Sequence, residues 1–327
     1  MTSSIVYLRS LNADYGSDSC GYSMSSSDYL QHHTDTAKIS STTMIELAID
    51  RIAFSIGSKE IAWYGVLVAG GFLLGMIVLN VQAKKRNVNA STIADLTLAC
   101  VIGGIAGARL LFVLINYRYY AENPAEIIRI DQGGLVFYGG FFGAFLSTGW
   151  LLRRRKLPFW TISDIFALAI PIGQAFGRIG CLVNGCCFGH PTESRPAIQY
   201  TNQAVEGIID AQIRRGELKP DGFDTQCLPV VPAQIYQSLI NVGIFAALIV
   251  AARYVKRPGR LFALFMILYA AARFVNEFNR GDYLTYHFGL TPAQVICLFV
   301  LPAGIALFCY LGCSKANEDV PATDSEH

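Results

Sequence analysis

Charged residues are scarce in this sequence: they occupy 15% of its 327 positions, well below the roughly 25% that is usual for a soluble domain. The formal net charge of +2 is too small to predict nucleic-acid binding. The sequence has no Cys-x-x-Cys pair, so the nine cysteines match no strong zinc signature, and we expect neither a metal ion nor another cofactor. The chain is not a short secreted domain, which argues against a disulfide framework. The composition, 53% hydrophobic, is that of an integral membrane protein.

The N-terminal 43 residues are polar and show no periodicity, so we expect residues 1–43 to be a disordered tail. They lack the basic stretch followed by an apolar stretch that is typical of a cleavable signal peptide. Met44 begins the first helix-like pattern, and we expect a chain that starts at Met44 to keep full function. A short C-terminal tail is expected at residues 313–327.

Seven apolar runs, each near the ~20 residues that cross a bilayer, fill most of the remaining chain. They predict an all-α integral membrane protein in which residues 44–312 form a bundle of about seven transmembrane helices. The runs are 61–81, 95–116, 134–152, 161–180, 235–252, 261–279 and 292–312. Glycine pairs with Gly-x-x-x-Gly spacing predict close helix packing; they are Gly71 and Gly75, Gly103 and Gly107, Gly139 and Gly143, and Gly173 and Gly177.

The loops between these runs alternate in basic character. Basic residues cluster at 84–86, at 153–156 and at 253–260, whereas the intervening loops are poorer in lysine and arginine. The positive-inside rule then places the three basic loops in the cytoplasm, the N-terminus outside and the C-terminus in the cytoplasm. The long polar segment 181–234 is expected outside, as an extracytoplasmic cap.

A glycine-rich turn follows the fourth apolar run, in the stretch Pro171 to Gly189, which reads PIGQAFGRIGCLVNGCCFG. Arg178 lies where the apolar run ends, and Asn184 follows it. A guanidinium at the mouth of a membrane helix, beside backbone that glycine leaves accessible, is suited to hold an anion. We therefore predict that Arg178 binds an anionic phospholipid.

Three more charged residues lie at the end of the sixth run, within YAAARFVNEFNRGD. Spacings of four and three place Arg273, Glu277 and Arg280 on one helix face. The predicted topology puts this face on the same side of the membrane as Arg178, where several arginines would meet lipid phosphates. Arginine suits phosphate because its planar fork donates two parallel hydrogen bonds. The alternative is that Arg273 and Glu277 form only a structural ion pair.

Tyr138 lies between two glycine pairs, Gly133–Gly134 and Gly139–Gly140, where a lipid or a backbone segment can approach closely. Its phenol can donate a hydrogen bond to a phosphate oxygen or accept a proton. The alternative is an interfacial aromatic residue. Arg109 lies in the second run, and two interpretations of it stay open. Its side chain forms a hydrogen bond inside the bundle, or it extends to the membrane interface.

Three cysteines, Cys181, Cys186 and Cys187, lie in the glycine-rich turn, and His190 follows them. Soft ligands in one turn leave metal binding or redox activity open as an alternative. The other interpretation is that they are small residues tolerated in a tight turn.

Together these motifs resemble the prolipoprotein diacylglyceryl transferase family over about residues 60–312. The resemblance rests on WYG at 63–65, GARLLFVL around Arg109, GGLVFYGG, GRIGCLVNGCCFG, PAQIYQ at 232–237 and RFVNEFNRGD. It implies transfer of the diacylglyceryl group of phosphatidylglycerol to the thiol of a lipobox cysteine in a bacterial preprolipoprotein. A thioether forms and glycerol phosphate leaves. It also implies the bacterial cytoplasmic membrane, and no cofactor or nucleic acid.

The resemblance assigns roles to individual residues. The implied catalytic residues are Arg178, Arg273, Tyr138 and Glu277, with Tyr138 where the family often has a histidine. The implied substrate-binding residues are Arg178, Asn184, Gly139, Gly140, Gly189, Arg280 and Tyr64. Four residues depart from the family pattern: Cys181 replaces Asn, Cys186 replaces Glu, Val231 replaces His and Gln237 replaces Glu. The phosphate-binding part is thus better preserved than the acid–base part.

The departures leave open a divergent paralogue with another acceptor. The residues alone also leave open a multipass lipid or anion transporter, because arginines in glycine-broken membrane helices suit anion translocation. No internal repeat relates the two halves of the chain, which argues against the transporter.

Overall fold

The computed structural model describes residues 44–57, 59–129, 133–194, 196–201, 205–219, 226–282 and 289–313. The predicted disordered tail 1–43 lies outside these residues, as does nearly all of the predicted C-terminal tail.

The described chain is mostly helical, as predicted. Seven of its helices have 18 residues or more: α1 (Trp63–Lys85), α2 (Ala90–Ile115), α4 (Phe137–Arg154), α5 (Phe159–Asn184), α7 (Ala233–Tyr254), α8 (Arg260–Glu277) and α9 (Pro292–Cys313). Each coincides with one predicted apolar run. Two shorter helices are α3 (Tyr117–Glu122) and α6 (Val205–Arg214), and a 3₁₀ turn covers Pro124–Ile128.

Five of the long helices are long and apolar enough to cross a membrane: α1, α2, α5, α7 and α9. The other two, α4 and α8, have 18 residues each. The membrane-embedded, multi-pass architecture is therefore confirmed, whereas the full count of seven crossings stays a prediction. Large apolar side chains on the outer helix faces are exposed, among them Leu73, Leu146 and Phe299, as expected of surfaces that meet lipid tails.

Three short strands, and not a helix, precede α1 in the described chain, so the prediction that Met44 begins a helix was wrong. β1 (Met44–Leu47) pairs in parallel with β4 (Ala197–Tyr200), and β2 (Ile52–Ile56) pairs antiparallel with β3 (Lys59–Ala62). Leu47, the last residue of β1, is buried in a small core with Ile198, Tyr200, Ile208 and Val230. The segment that was predicted to form a cap thus shares a hydrophobic core with β1.

Helices α2 and α4 cross at glycine contacts, as their Gly-x-x-x-Gly pairs predicted. A Cβ atom on Gly103 would lie 2.7 Å from the carbonyl oxygen of Gly143, and one on Gly107 would overlap the carbonyl oxygen of Gly139. Gly71 of α1 similarly meets α5, where an added Cβ would lie 2.7 Å from the Phe176 Cβ. Gly177 faces open space, so no packing contact explains it.

Helix α5, which carries Arg178, is central to the fold. It packs against α1, α7 and α8. Within its apolar 18-residue stretch, 39% is buried inside the protein, compared with 11–28% in the corresponding stretches of the other four candidate spans. Arg178 is therefore carried by the most buried of the five candidate spans.

A buried carboxylate, Asp164, fixes the opposite end of α5. It is 1% exposed, and it accepts hydrogen bonds from the backbone of Gly259 (2.9 Å) and Phe262 (2.8 Å) and from Arg86 Nη1 (3.1 Å). One side chain thus joins the end of α1, the start of α5 and the start of α8. This residue was not predicted from the sequence.

Candidate active site

The glycine-rich turn is a Schellman motif that ends α5. Gly185 adopts a left-handed conformation with φ of 69°, which glycine accommodates without a Cβ clash. The Cys186 N–H donates to the Cys181 carbonyl (3.1 Å) and the Gly185 N–H donates to the Leu182 carbonyl (3.2 Å). This reversal folds Cys186 back over the last turn of the helix.

Arg178 lies nearly two turns before this reversal and is half-buried. In the part of the chain that the structure describes, no hydrogen bond or ion pair joins its guanidinium to another group. Its charge acts on the Cys187 thiol and on the Tyr64 hydroxyl. A half-buried guanidinium keeps its hydrogen-bond donors for a ligand when the protein does not use them.

Arg273, Glu277 and Arg280 meet on one face at the end of α8, as predicted. Glu277 Oε2 lies 2.7 Å from Arg273 Nη1 and 3.8 Å from Arg280 Nη1, and the Glu277 side chain is fully buried. The 2.7 Å contact lacks hydrogen-bond geometry, and neither atom has a hydrogen-bond partner among the described residues. The two arginines therefore share one carboxylate, and Arg273 keeps hydrogen-bonding capacity in a buried setting.

Thr291 holds the other oxygen of this carboxylate. Its hydroxyl donates to Glu277 Oε1 (3.1 Å) and accepts from the Gln294 N–H (3.2 Å), while Gln294 Oε1 accepts from the Thr291 N–H (3.0 Å). This reciprocal pair is a capping box at the start of α9, with Pro292 in the first helical position. Thr291 was not predicted from the sequence, although Thr-Pro-Ala-Gln is a recognisable helix start.

The two predicted halves of the site are joined through Gly189. The Gly189 N–H donates to Val231 O (3.0 Å), and the Gly281 N–H donates to Phe188 O (3.0 Å), so the segment after the cysteines runs between two others. A Cβ on Gly189 would lie 2.6 Å from Val231 Cβ and 2.7 Å from Asn279 O. The close backbone approach explains this glycine, and its predicted role in substrate binding stays a prediction.

Arg280 is held in place by its neighbour in sequence. Its Nε and Nη2 donate to the two oxygens of Asp282 at 2.9 Å and 2.6 Å. Burial lowers the pKa of Arg280, but the hydrogen bond and charge of the Asp282 carboxylate outweigh the effect of burial. The pKa of Arg280 is therefore raised, and its guanidinium stays positively charged. Hydrogen bonds from Cys181 and Cys186 lower the pKa of the Cys187 thiol, and Arg280 and Arg178 act in the same direction.

The three thiols of the turn come together in space. The sulfur atoms of Cys181, Cys186 and Cys187 all lie within 4.8 Å of one another, and all three residues are half-buried. They are free cysteines. His190 is half-buried after the turn, where burial and then the charge of Arg215 lower its pKa and favour the neutral imidazole.

Asn184 and Tyr64 flank this turn. Asn184 Oδ1 accepts a hydrogen bond from Arg51 Nη2 (3.0 Å), and Asn184 Nδ2 approaches Cys186 Sγ (3.7 Å). Tyr64 packs on Gly180, because a Cβ there would lie 3.1 Å from Tyr64 Cδ2. Arg51 is a further cation at the site that was not predicted, since nothing in the sequence marks an arginine in a polar turn.

The PAQIYQ motif begins α7 and carries a buried polar network. Gln234 Nε2 donates to the Cys186 carbonyl (2.9 Å) and to the Tyr200 hydroxyl (3.2 Å). Gln237 Oε1 accepts from Asn276 Nδ2 (3.0 Å). The motif therefore ties the cysteine turn, the cap and α8 to one helix end.

The second glycine-rich stretch is organised by Arg109, which hydrogen-bonds inside the bundle. It is 8% exposed and donates to four backbone carbonyls: Glu126 (2.7 Å), Ile127 (2.8 Å), Gly133 (3.0 Å) and Gly134 (3.2 Å). Its guanidinium also lies over the rings of Phe112 and Tyr120, at 5.6 Å and 5.3 Å from their centroids. Arg109 thus shapes the loop that leads into α4.

Tyr138 lies in the first turn of α4 with about half of its side chain exposed, 51%. Gly139 and Gly140 on the same turn face α2: an added Cβ would lie 2.5 Å from Leu111 Cβ at Gly139 and 3.3 Å from the Gly104 carbonyl oxygen at Gly140. Helix packing explains both glycines. The proton-transfer role of Tyr138 and the lipid-binding roles of the glycines stay predictions.

Comparisons with known proteins point consistently to one family. The family model described as prolipoprotein diacylglyceryl transferase matches residues 51–310. Three similar proteins all carry the name phosphatidylglycerol–prolipoprotein diacylglyceryl transferase. The one from Clostridium tetani is 29% identical over 79% of this chain and 96% of its own length. Those from Finegoldia magna and Bacillus mycoides are each 33% identical over 79% of this chain, covering 94% and 90% of their own lengths.

Proposed function

The chain belongs to the prolipoprotein diacylglyceryl transferase family, and we infer that it transfers the diacylglyceryl group of phosphatidylglycerol to prolipoproteins in lipoprotein maturation. The observation that carries the assignment of the site is Arg178. It is half-buried at the end of a central membrane helix, with no hydrogen bond or ion pair inside the described chain. The acceptor is the thiol of a lipobox cysteine, and glycerol phosphate is the second product.

The lipid phosphate binds between the ends of α5 and α8. Arg178 donates two hydrogen bonds to phosphate oxygens, the geometry for which a guanidinium is suited. Arg273 faces the same phosphate and is oriented by Glu277, whose second oxygen is held by Thr291. Arg280 supplies long-range positive charge while its own donors stay on Asp282.

The reaction displaces a phosphate ester at the glyceryl carbon by sulfur. A free thiol has a pKa near ~8.5 and is mostly protonated at neutral pH, so the site must favour the thiolate. The same guanidinium charges stabilise the phosphate as negative charge grows on the leaving oxygen. Tyr138, or a water bound to Asn184, relays the thiol proton to solvent. Two acyl chains extend sideways into lipid, past the exposed apolar helix faces.

The protein resides in the bacterial cytoplasmic membrane with the N-terminus outside and the C-terminus in the cytoplasm. Basic clusters at 84–86, 153–156 and 253–260 support this orientation through the positive-inside rule. The cap and the arginine site then face the outer leaflet, where secreted preprolipoproteins arrive. No nucleic acid takes part.

Product release tests the role of Arg178. Purified protein in detergent receives phosphatidylglycerol and a peptide with one lipobox cysteine, and released glycerol phosphate is quantified. Arg178→Gln should lower the rate by about 10²–10³-fold, as loss of a donor to developing charge does elsewhere. The rate of Arg178→Lys should lie between those of the parental protein and Arg178→Gln, because lysine keeps the positive charge but lacks the planar fork of donors.

Exposed Arg153 offers the matched control, and Arg153→Gln should release product at the parental rate. Both Arg178 variants should keep the parental denaturation temperature, because Arg178 makes no hydrogen bond in the described chain. Arg153→Gln should keep it as well, because Arg153 is exposed. Unchanged release from a folded Arg178→Gln protein would remove Arg178 from the site. Release of glycerol phosphate without modification of the peptide would mean that water, and not the peptide thiol, accepts the diacylglyceryl group.

A further inference from the structure

The three clustered cysteines carry soft sulfur groups of the type that binds metal ions, and the transfer reaction inferred above does not use them. Cys181 lies in the last turn of α5, and the Schellman turn at Gly185 brings Cys186 and Cys187 back towards it. The three sulfur atoms lie within 4.8 Å of one another. Two thiolates on one tetrahedral Zn²⁺ lie about 3.8 Å apart, given Zn–S bonds of ~2.3 Å. Side-chain shifts of about 1 Å or less would therefore bring all three onto one ion.

The surroundings suit thiolates that bind a cation. Three thiolates and one divalent ion carry a net charge of −1, and the charges of Arg178 and Arg280 both act on Cys187. Asn184 Nδ2 approaches Cys186 Sγ at 3.7 Å, and Gln234 Nε2 donates to the Cys186 carbonyl at 2.9 Å. Such outer-shell contacts orient ligands and tune metal affinity.

The number of ligands is informative. Among the described residues, three cysteines and no fourth His, Cys, Asp or Glu make up this cluster. Structural zinc sites have four protein ligands, whereas catalytic sites have three and keep one position for water or substrate. The three cysteines are half-buried, so one side of the cluster stays accessible.

We propose that Cys181, Cys186 and Cys187 bind one thiophilic divalent ion of the Zn²⁺ type, and that the acceptor thiol of the prolipoprotein is its fourth ligand. A thiol that coordinates such an ion loses its proton, here to solvent. The metal-bound sulfur then forms the bond to the glyceryl carbon, and the carbon–oxygen bond to phosphate breaks. The electron pair leaves with glycerol phosphate, which Arg178 receives, and no oxidant or reductant is required.

This proposal rests on the proposed function, and it gives the family departures a chemical reason. Cys181 and Cys186 replace an amide and a carboxylate of the family pattern, and deprotonation of the acceptor thiol by a metal would compensate for the weakened acid–base part. The ligands and the lipid-binding arginine share one helix end, because Arg178 and Cys181 are three residues apart on one face.

Cobalt binding tests the metal site without relying on activity. The purified full chain is stripped with a chelator, and Co²⁺ is titrated while thiolate-to-cobalt charge-transfer absorption is recorded. We expect one Co²⁺ per chain. Ser substitutions at 181, 186 or 187 should each weaken binding by more than the roughly 10- to 100-fold typical of losing an outer-shell partner. Cys309→Ser, at an exposed position on α9, should bind like the parent.

A lipobox peptide then tests the fourth ligand. Its cysteine form should intensify the charge-transfer absorption, whereas the same peptide with serine should not. Binding of Co²⁺ with no response to the cysteine peptide would overturn the acceptor role. Absence of stoichiometric binding, or a disulfide among the three cysteines in protein purified anaerobically, would overturn the metal site.

Transfer activity separates this proposal from the proposed function. If a chelator abolishes adduct formation and Zn²⁺ restores it, both stand. If the metal-free protein still transfers diacylglyceryl at the parental rate, the transferase stands and the metal proposal falls. If the metal binds but no lipid is transferred to any thiol, the proposed function falls while the metal site remains.

Discussion

Arg109 should be essential for the loop that precedes α4, although it lies outside the predicted catalytic set. It makes four hydrogen bonds to backbone carbonyls, two to residues 126–127 and two to residues 133–134. Only a planar fork with several separated donors can join both arms of the loop at once. In an Arg109→Lys variant the fork is replaced by an ammonium, which is a single point and reaches one arm.

The expected loss follows from these contacts. Hydrogen bonds from a charged donor contribute ~1.5–3 kcal/mol each, so losing two corresponds to about 3–6 kcal/mol. This figure is an upper bound, because the loop can open locally and hydrate its carbonyls without unfolding the bundle. The opened loop no longer fixes the start of α4, and misplacement of about 1 Å at a site can lower a rate by ~10²-fold.

Three measurements on Arg109→Lys check this reasoning: the transfer rate, the denaturation temperature in detergent, and limited proteolysis within 126–136. We expect a rate that falls by about 10-fold or more, with a moderate loss of stability and faster loop cleavage. The control is Arg153→Lys, an exposed arginine at the far end of α4. A parental rate and parental protease resistance in Arg109→Lys would show that the four hydrogen bonds do not organise this loop.

Three further substitutions probe the packing around the site, each followed by thermal denaturation in detergent. Gly139→Ala should destabilise by about 1–3 kcal/mol through overlap with α2. Gly149→Ala on the same helix has open space around it and should stabilise by up to about 1 kcal/mol, because alanine favours a helix interior over glycine. Equal effects would contradict the crossing. Thr291→Val should lower the stability by about 1 kcal/mol, because the N-cap of α9 is lost. It should also lower the transfer rate, because Glu277 loses its hydrogen bond from the threonine hydroxyl. Thr291→Ser keeps the hydroxyl and should restore both the stability and the rate. Asp164→Asn should destabilise by about 3 kcal/mol or more, but Asp95→Asn, which breaks an exposed ion pair, by only ~0–1 kcal/mol.

The seven long helices could be predicted from the sequence because each coincides with a long apolar run, and such runs are rare outside membranes. The two short helices, α3 and α6, have no such run and were not predicted. The strands could not be predicted either. β1 has four residues, and its partner β4 begins at Ala197, so the pairing depends on tertiary contacts that no local pattern encodes. A short apolar segment such as Met44–Leu47 is equally compatible with helix and strand.

Arg178, Arg273 and Arg280 could be singled out from the sequence because charge in or at the end of a membrane helix is expensive and seldom lacks a function. Their role in binding the substrate stays a prediction, and Arg51 was not predicted at all. The sequence placed the three cysteines in one turn, but it could not show how closely their sulfur atoms approach, because intervals of five and one match no ligand signature. Their approach depends on the helix reversal at Gly185, which a glycine after a helix end did indicate. Gly139 was predicted to admit a lipid or a backbone segment, and the backbone contact is the one that the structure contains.

The most direct test of the account is mass spectrometry of a lipobox peptide incubated with the full chain and phosphatidylglycerol. We predict a peptide whose mass increases by one diacylglyceryl group on cysteine, formed by the parental protein and reduced to near background by Arg178→Gln. The same peptide with serine should remain unmodified. A folded parental protein that binds the lipid but leaves the cysteine peptide unmodified would contradict the assignment of this site to diacylglyceryl transfer.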